Sequence, residues 1–161
     1  MDRLTQPLRD EHRELRPHVD DILAAADLLD ERAPELPVER LAASSAFLRD
    51  HLLRHASAEE AVLYPMVGLA FGDPGATATM ARDHRQIEHL GEELAGLVAN
   101  AGSGGPDVRA LRRVLYGLHA ILVLHFAKEE EVYLPLLDAR LTPDEATRLF
   151  AGMEEAAAIA A

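Results

Sequence analysis

His55-Ala-Ser-Ala-Glu59-Glu60-Ala-Val-Leu-Tyr-Pro65 and His125-Phe-Ala-Lys-Glu129-Glu130-Glu-Val-Tyr-Leu-Pro135 are two copies of one pattern. Around the second copy, positions 111, 115, 118, 122, 125, 129, 132 and 136 read Leu, Leu, Leu, Leu, His, Glu, Val and Leu. Around the first, the same register reads Leu41, Ser45, Leu48, Leu52, His55, Glu59, Val62 and Met66. Spacing that alternates between three and four marks one buried stripe of an α-helix. In both helices, then, a His and a Glu replace core residues.

Working outward, two more segments carry such a stripe. One reads Leu4, Leu8, His12, Leu15, Val19 and Ile22; the other reads Met80, His84, Ile87 and Leu94. Asp10-Glu11-His12-Arg13 resembles Arg82-Asp83-His84-Arg85, so a whole helical hairpin is repeated. Gly- and Pro-rich breaks at Phe71 to Gly75 and Asn100 to Pro106, with a third near Arg32 to Pro37, separate the four segments. The helices are expected at about 3–31, 37–69, 75–100 and 106–140. Asp73 is expected to cap a helix opening with Pro74, and Pro106 suits a first turn. Pro17 removes a donor within the first helix and predicts a kink. Thr142-Pro-Asp-Glu145 has capping-box spacing and predicts a short fifth helix to about 157, packed outside the bundle. The whole 161-residue chain reads as a single all-α domain, an up-down antiparallel four-helix bundle over about 3–140 with that extra C-terminal helix.

Composition agrees and excludes other classes. Aromatics make up only 4% of the chain while Ala and Leu dominate, which favours helices. With no cysteine, disulfides, thiolate clusters and thiol nucleophiles are ruled out, leaving His, carboxylates and Tyr for any chemistry. The formal charge of -12 repels phosphate backbones and anionic membranes, so no nucleic-acid or membrane partner is expected. The chain has neither an unbroken run of about 18 apolar residues nor a secretory leader pattern, and it reads as soluble and cytoplasmic.

An ionised Glu in a helical core costs several kcal/mol unless paired, and no stripe position offers Lys or Arg. A cation is the simplest partner. His and Glu four apart lie about 40° from each other and one turn along, so they can converge on one metal region. Two such helices face to face supply two carboxylates and two imidazoles. His12 and His84 add nitrogen donors, and Glu88, four residues after His84, can complete one shell. His12, His55, Glu59, His84, Glu88, His125 and Glu129 are the candidate ligands. They outnumber the donors of a single tetrahedral site, and their mixture of oxygen and imidazole nitrogen suits iron or manganese better than calcium or magnesium. A dinuclear centre accounts for them best. His18, His51, His89 and His119 fall off the stripes and read as surface residues or neighbours of the ligands. Glu60 and Glu130, one residue out of phase, read as solvated or hydrogen-bonded to ligands. Tyr64 and Tyr133 read first as packing residues near a bundle end, and of the two Tyr133, one turn beyond Glu129, is the better candidate to contact the ligands.

These residues resemble the hemerythrin-like, or HHE cation-binding, family. The resemblance covers the chain to about residue 140. It rests on Glu11-His12, on Asp83-His84, and on the two His-x-x-x-Glu-Glu motifs followed by Leu-Tyr-Pro and Tyr-Leu-Pro. It implies a bundle holding an oxo- or hydroxo-bridged di-iron site, with manganese or zinc as possible occupants. His12, His55, His84 and His125 would be terminal ligands, with Glu59 and a fourth-helix carboxylate bridging. Oxygen-carrying hemerythrins have His where this chain has Glu88, which argues against reversible oxygen storage. They also take the fourth-helix carboxylate five residues after the histidine, which would select Glu130; the repeat and the stripe select Glu129. The Glu-x-x-His signature of ferritin-like carboxylate proteins is absent. The expected function is binding of, or reaction with, dioxygen, nitric oxide or hydrogen peroxide, peroxide disproportionation included. The alternative is an iron- or oxygen-responsive sensing module without turnover. Iron-sulfur repair, known for relatives with a cysteine motif ahead of the bundle, is disfavoured.

Overall fold

The computed structural model describes residues 3–30, 37–104 and 106–160. Five helices follow in order: α1 (Gln6–Leu28), α2 (38–71), α3 (Ala78–Gly104), α4 (Val108–Arg140) and α5 (Pro143–Ile159). α1 packs on α2 and α4, and α3 packs on α2 and α4, which closes the expected four-helix ring. α5 lies outside it against α2, along residues 53–63. The break expected near Arg32 to Pro37 falls largely outside the described residues.

Local chemistry sets the helix ends. Gly72 closes α2 at φ 72°, a conformation that glycine adopts without steric cost. Asp73 does not cap a helix. Its Oδ1 accepts from Gly75 N at 2.8 Å, which builds a turn that delays α3 to Ala78. Asp107 caps α4, its Oδ1 accepting from Ala110 N at 2.9 Å, so Pro106 stands before the helix and not in its first turn. The expected Thr142–Glu145 capping box is present. α1 continues as one helix through Pro17. Its N-terminal end is tied to α4 by Thr5, whose N and Oγ1 donate to Asp138 at 2.8 and 3.0 Å.

α4 is long and apolar enough, by length and composition alone, to cross a membrane. Here Leu111, Leu115, Leu118 and Leu122 are wholly buried in the bundle, and the helix carries His125 and Glu129 inward. Two apolar cores result. One is built around Leu15, Ile22, Leu48, Leu94, Leu118 and Phe126; the other around Leu8, Leu63, Met80, Leu134 and Leu137. A layer of buried polar residues separates them: His12, His55, Glu59, His84, His125 and Glu129.

The helical register changes at this layer. Residues Glu59–Leu63 and Glu129–Tyr133 form single π-helical turns, in which Tyr64 N donates to Glu59 O and Leu134 N donates to Glu129 O. Each turn is followed, after one intervening residue, by a proline, Pro65 or Pro135, which cannot donate to the carbonyl four residues back and would clash with it. The extra residue rotates everything after it by about 100°. Beyond the two Glu residues the expected stripe is therefore wrong. Leu63, Tyr64 and Val67 are buried in place of Val62 and Met66, and Tyr133, Leu134 and Leu137 in place of Val132 and Leu136. A further π turn at Leu48–Leu52 lies in the α2 region where Ser44, not Ser45, is buried.

This phase shift has a direct test by chemical denaturation. Val132 is 50% exposed and Leu134 fully buried. Val132→Asp should change stability by less than about 0.5 kcal/mol, and Leu134→Ala should cost about 2–5 kcal/mol. The reverse ranking would restore the uninterrupted α-helical register.

Candidate metal centre

Six of the expected ligands meet in the polar layer. His12 Nε2, His55 Nε2 and carboxylate oxygens of Glu59 and Glu129 form one group of mutually close donor atoms; Glu59, His84 and His125 form a second. Glu59 belongs to both. His55 Nε2 lies 2.9 Å from Glu59 Oε1, and His84 Nε2 lies 3.2 Å from Glu59 Oε2. His12 Nε2 stands 3.4 Å from Glu129 Oε2, His125 Nε2 3.6 Å from Glu129 Oε1, and the His84 and His125 Nε2 atoms are 2.9 Å apart. Glu129, not Glu130, is the fourth-helix carboxylate turned inward.

The outward edge of each imidazole meets a carboxylate from another helix. His12 Nδ1 is 3.3 Å from Glu130 Oε1, His84 Nδ1 2.9 Å from Glu60 Oε1, and His125 Nδ1 3.3 Å from Asp83 Oδ2. His55 Nδ1 lies 3.0 Å from Glu11 Oε1. A carboxylate there favours the proton on Nδ1 and leaves the Nε2 lone pair pointing inward, the arrangement that orients a metal-ligating histidine. Lys128 and Arg16 pair in turn with Asp83 and Glu130. The expected hydrogen bonds of Glu60 and Glu130 to ligands are thus present. The roles of Glu11 and Asp83 were not read from the sequence, although each directly precedes a candidate histidine: Glu11 serves His55 and Asp83 serves His125, each on the next element.

Glu88 is not brought to the centre. It is exposed and lines a surface cavity of about 480 Å³ with Ser57, Glu60, His84 and Arg85. α3 has no π turn at this point, and Glu88 lies one turn on from His84 toward the helix surface. The tyrosine expectation is reversed. Tyr133 donates to Ala76 O at 3.1 Å, whereas Tyr64 donates to Glu129 Oε1 at 2.9 Å and lies 3.2 Å from His84 Nε2. The π turn explains this, because it moves the inward phase from the fourth to the fifth residue after Glu59. His18, His51 and His89 are exposed and His119 half-buried, all away from the donor groups.

His12 Nε2, His55 Nε2, both oxygens of Glu59 and Oε2 of Glu129 are buried without a hydrogen bond. Buried polar atoms left so cost free energy that a cation bound among them would return. Protons substitute for it in part. Burial and the neighbouring Glu59 carboxylate push the Glu129 carboxyl up to about 8. Burial opposes the charge of His55, but Glu59 and Glu11 outweigh it and hold the imidazole well above its usual range. For Glu59 burial again opposes ionisation, and His55 with the other imidazoles outweighs it. Burial, then Glu59 and Glu129, push the Tyr64 phenol upward.

Fold and site together define a helical bundle whose buried imidazole and carboxylate donors could hold a cation. The family model of the hemerythrin HHE cation binding domain matches residues 3–137, and the chain belongs to this family. No curated protein and no solved structure matches the chain.

The protonation pattern fixes a pH dependence. His55 and Glu129 are both raised in the fold, so the stability each contributes without metal is full below its ordinary value, about 6.5 and 4.5, and is lost as pH rises toward the folded one. Glu59, held low, is ionised across this window and adds no slope. Chelator-treated protein should therefore melt lower at about pH 8 than at about pH 6.5. With metal bound the slope should reverse, because binding displaces those protons. Thermal melts across pH with and without chelator check this; parallel profiles would refute it.

Proposed function

We propose that this chain is a non-haem di-iron protein whose centre binds and reacts with a small oxidant or diatomic ligand. Dioxygen, nitric oxide and hydrogen peroxide are the class, and peroxide disproportionation is the leading reaction. The observation that carries the reading is the sharing of Glu59 between two donor groups, each with its own histidine pair. Imidazole and carboxylate together favour iron or manganese over calcium or magnesium. Charge supports a pair of ions. Glu59, Glu129, Glu11, Glu60, Glu130 and Asp83 surround the imidazoles, and Arg16 and Lys128 are the cations that pair directly with this set. Once metal displaces the protons of Glu129 and His55, the surplus of four negative charges matches the charge of two divalent cations.

A bound iron pair would supply electrons and an open coordination position for such ligands. The chain's own residues do the rest. Phe126 stacks on His12 at 4.5 Å and, with the two leucine-rich cores, keeps the layer dry. Glu11, Glu60, Glu130 and Asp83 hold the imidazole tautomers, and the Tyr64 phenol oxygen sits against Glu129 Oε1 at the edge of the layer. A surface cavity of about 760 Å³ is lined by Tyr64 and Glu60 together with Leu69, Thr77 and Ala81, and gives small molecules an approach on that side.

A second reading, a sensor without turnover, draws on α5. It packs on the part of α2 that holds His55 and Glu59, where a side-chain carbon at Gly152 would come within 3.3 Å of Val62. A change at Glu59 is thus transmissible to the outer helix.

Metal content and the visible spectrum of protein from iron-supplemented cells come first, followed by peroxide turnover. About two irons with an oxo-bridge absorption are expected, and Glu59→Ala should lose most of the metal and turnover by at least about 10²-fold. Failure to bind metal after anaerobic iron loading would sink the di-iron reading. Two irons without turnover, together with metal-dependent protease sensitivity of α5, would favour the sensor.

A further inference from the structure

The two halves of the centre are not equivalent. His12 and His55 stand with both Glu59 and Glu129 in one tight group, whereas His84 and His125 group with Glu59 and have Glu129 Oε1 at 3.6 Å from His125 Nε2. The Tyr64 phenol oxygen stands beside this second half. It lies 2.9 Å from Glu129 Oε1 and 3.2 Å from His84 Nε2, itself 2.9 Å from His125 Nε2. The ring is 4% exposed and stacks on His84 with centroids 5.4 Å apart and planes 16° from parallel. The repeat pairs Tyr64 with Leu134, each one residue before the proline that ends its motif. Leu134 is fully buried and has no polar side-chain atom to offer the His12 half.

We propose that Tyr64 supplies a further protein donor, its phenol oxygen, to the cation position beside His84, His125 and Glu59, making the two positions of the centre chemically unlike. The inference rests on the metal-centre reading above. On binding, an oxygen–metal bond forms and the phenol O–H bond breaks; its proton is released to solvent and no electron is transferred. A cation in contact with the oxygen takes the place of that proton and reverses the disadvantage that two nearby carboxylates impose on the anion.

The full chain is loaded with ferric iron, its iron counted, and visible absorption and resonance Raman spectra recorded. The expected result is a phenolate-to-iron charge-transfer band, with tyrosinate ring modes enhanced by excitation within it. Tyr64→Phe should lose both while keeping iron. Tyr133→Phe, whose hydroxyl is on the Ala76 carbonyl, and Tyr116→Phe, whose hydroxyl is on Asp27, should keep both. If Tyr64→Phe does not fold, the wild-type spectrum with these two controls still assigns the modes. Bound iron without tyrosinate modes in the wild type would overturn the proposal and leave the di-iron reading standing, with Tyr64 reduced to a hydrogen-bond donor. Absence of bound iron would overturn both.

Discussion

Two carboxylates, Glu59 and Glu129, sit with no solvent exposure in the middle of a helical bundle, and most of the architecture can be derived from the need to answer their charge. Taking an ion of this size out of water costs several kcal/mol even after relaxation. Four imidazoles stand around the pair, and each is in turn backed by an acid on its far edge. The polar layer interrupts the leucine stripes of all four helices at one level, so the hydrophobic core is divided in two. Neither half lacks packing. The cost is concentrated in the layer between them, where protons on His55 and Glu129 are a partial substitute for a cation.

The π turns decide which atoms reach this layer. An α-helix of uniform pitch would present His and Glu four residues apart and then carry Val62 and Val132 inward. The extra residue at each turn keeps the Glu in the layer and swings the next buried position to Leu63 and Tyr64, or to Tyr133 and Leu134. Prolines that follow both turns after one intervening residue make the ordinary hydrogen-bond pattern impossible at that point. The strain of a proline inside a helix and the placement of a buried acid are thereby handled by one backbone feature. Single π turns recur at functional sites for this kind of reason.

That coupling also explains what could be read from the sequence. The bundle, its helix order, the inward His12, His55, His84 and His125, and the choice of Glu129 over Glu130 follow from periodicity: His12 and His84 lie on helices of regular pitch, and His55 and His125 lie ahead of the π turns that begin at Glu59 and Glu129. Val62, Met66, Val132 and Leu136 were misplaced, and the tyrosines exchanged, because all of them lie past the start of those turns. The signal was present as Leu-Tyr-Pro and Tyr-Leu-Pro, where a proline stands inside a segment otherwise suited to a helix. Glu88 is suggested by its spacing four residues after His84, but the buried stripe of α3 runs through Ile87 and leaves Glu88 exposed. The acids behind the imidazoles were harder to see. Glu11 and Asp83 serve histidines on other helices, a relation set by helix packing and invisible to spacing along one helix.

The repeat makes the remaining asymmetry informative. Its two copies agree in the positions of His, both Glu residues and Pro, and they transpose one neighbouring pair, Leu63-Tyr64 against Tyr133-Leu134. With the same backbone turn on each side, that transposition alone sends one phenol to Glu129 and His84 and the other to the carbonyl of Ala76, at the loop before α3. Leucine and tyrosine both suit a buried position beside a leucine-rich core, so packing by itself does not require the order found in either copy. What differs is where the hydroxyl goes: into the layer of donors on one side, and onto a backbone acceptor that would otherwise need water on the other. A twofold scaffold thus holds an unsymmetrical set of oxygen and nitrogen atoms around the buried layer.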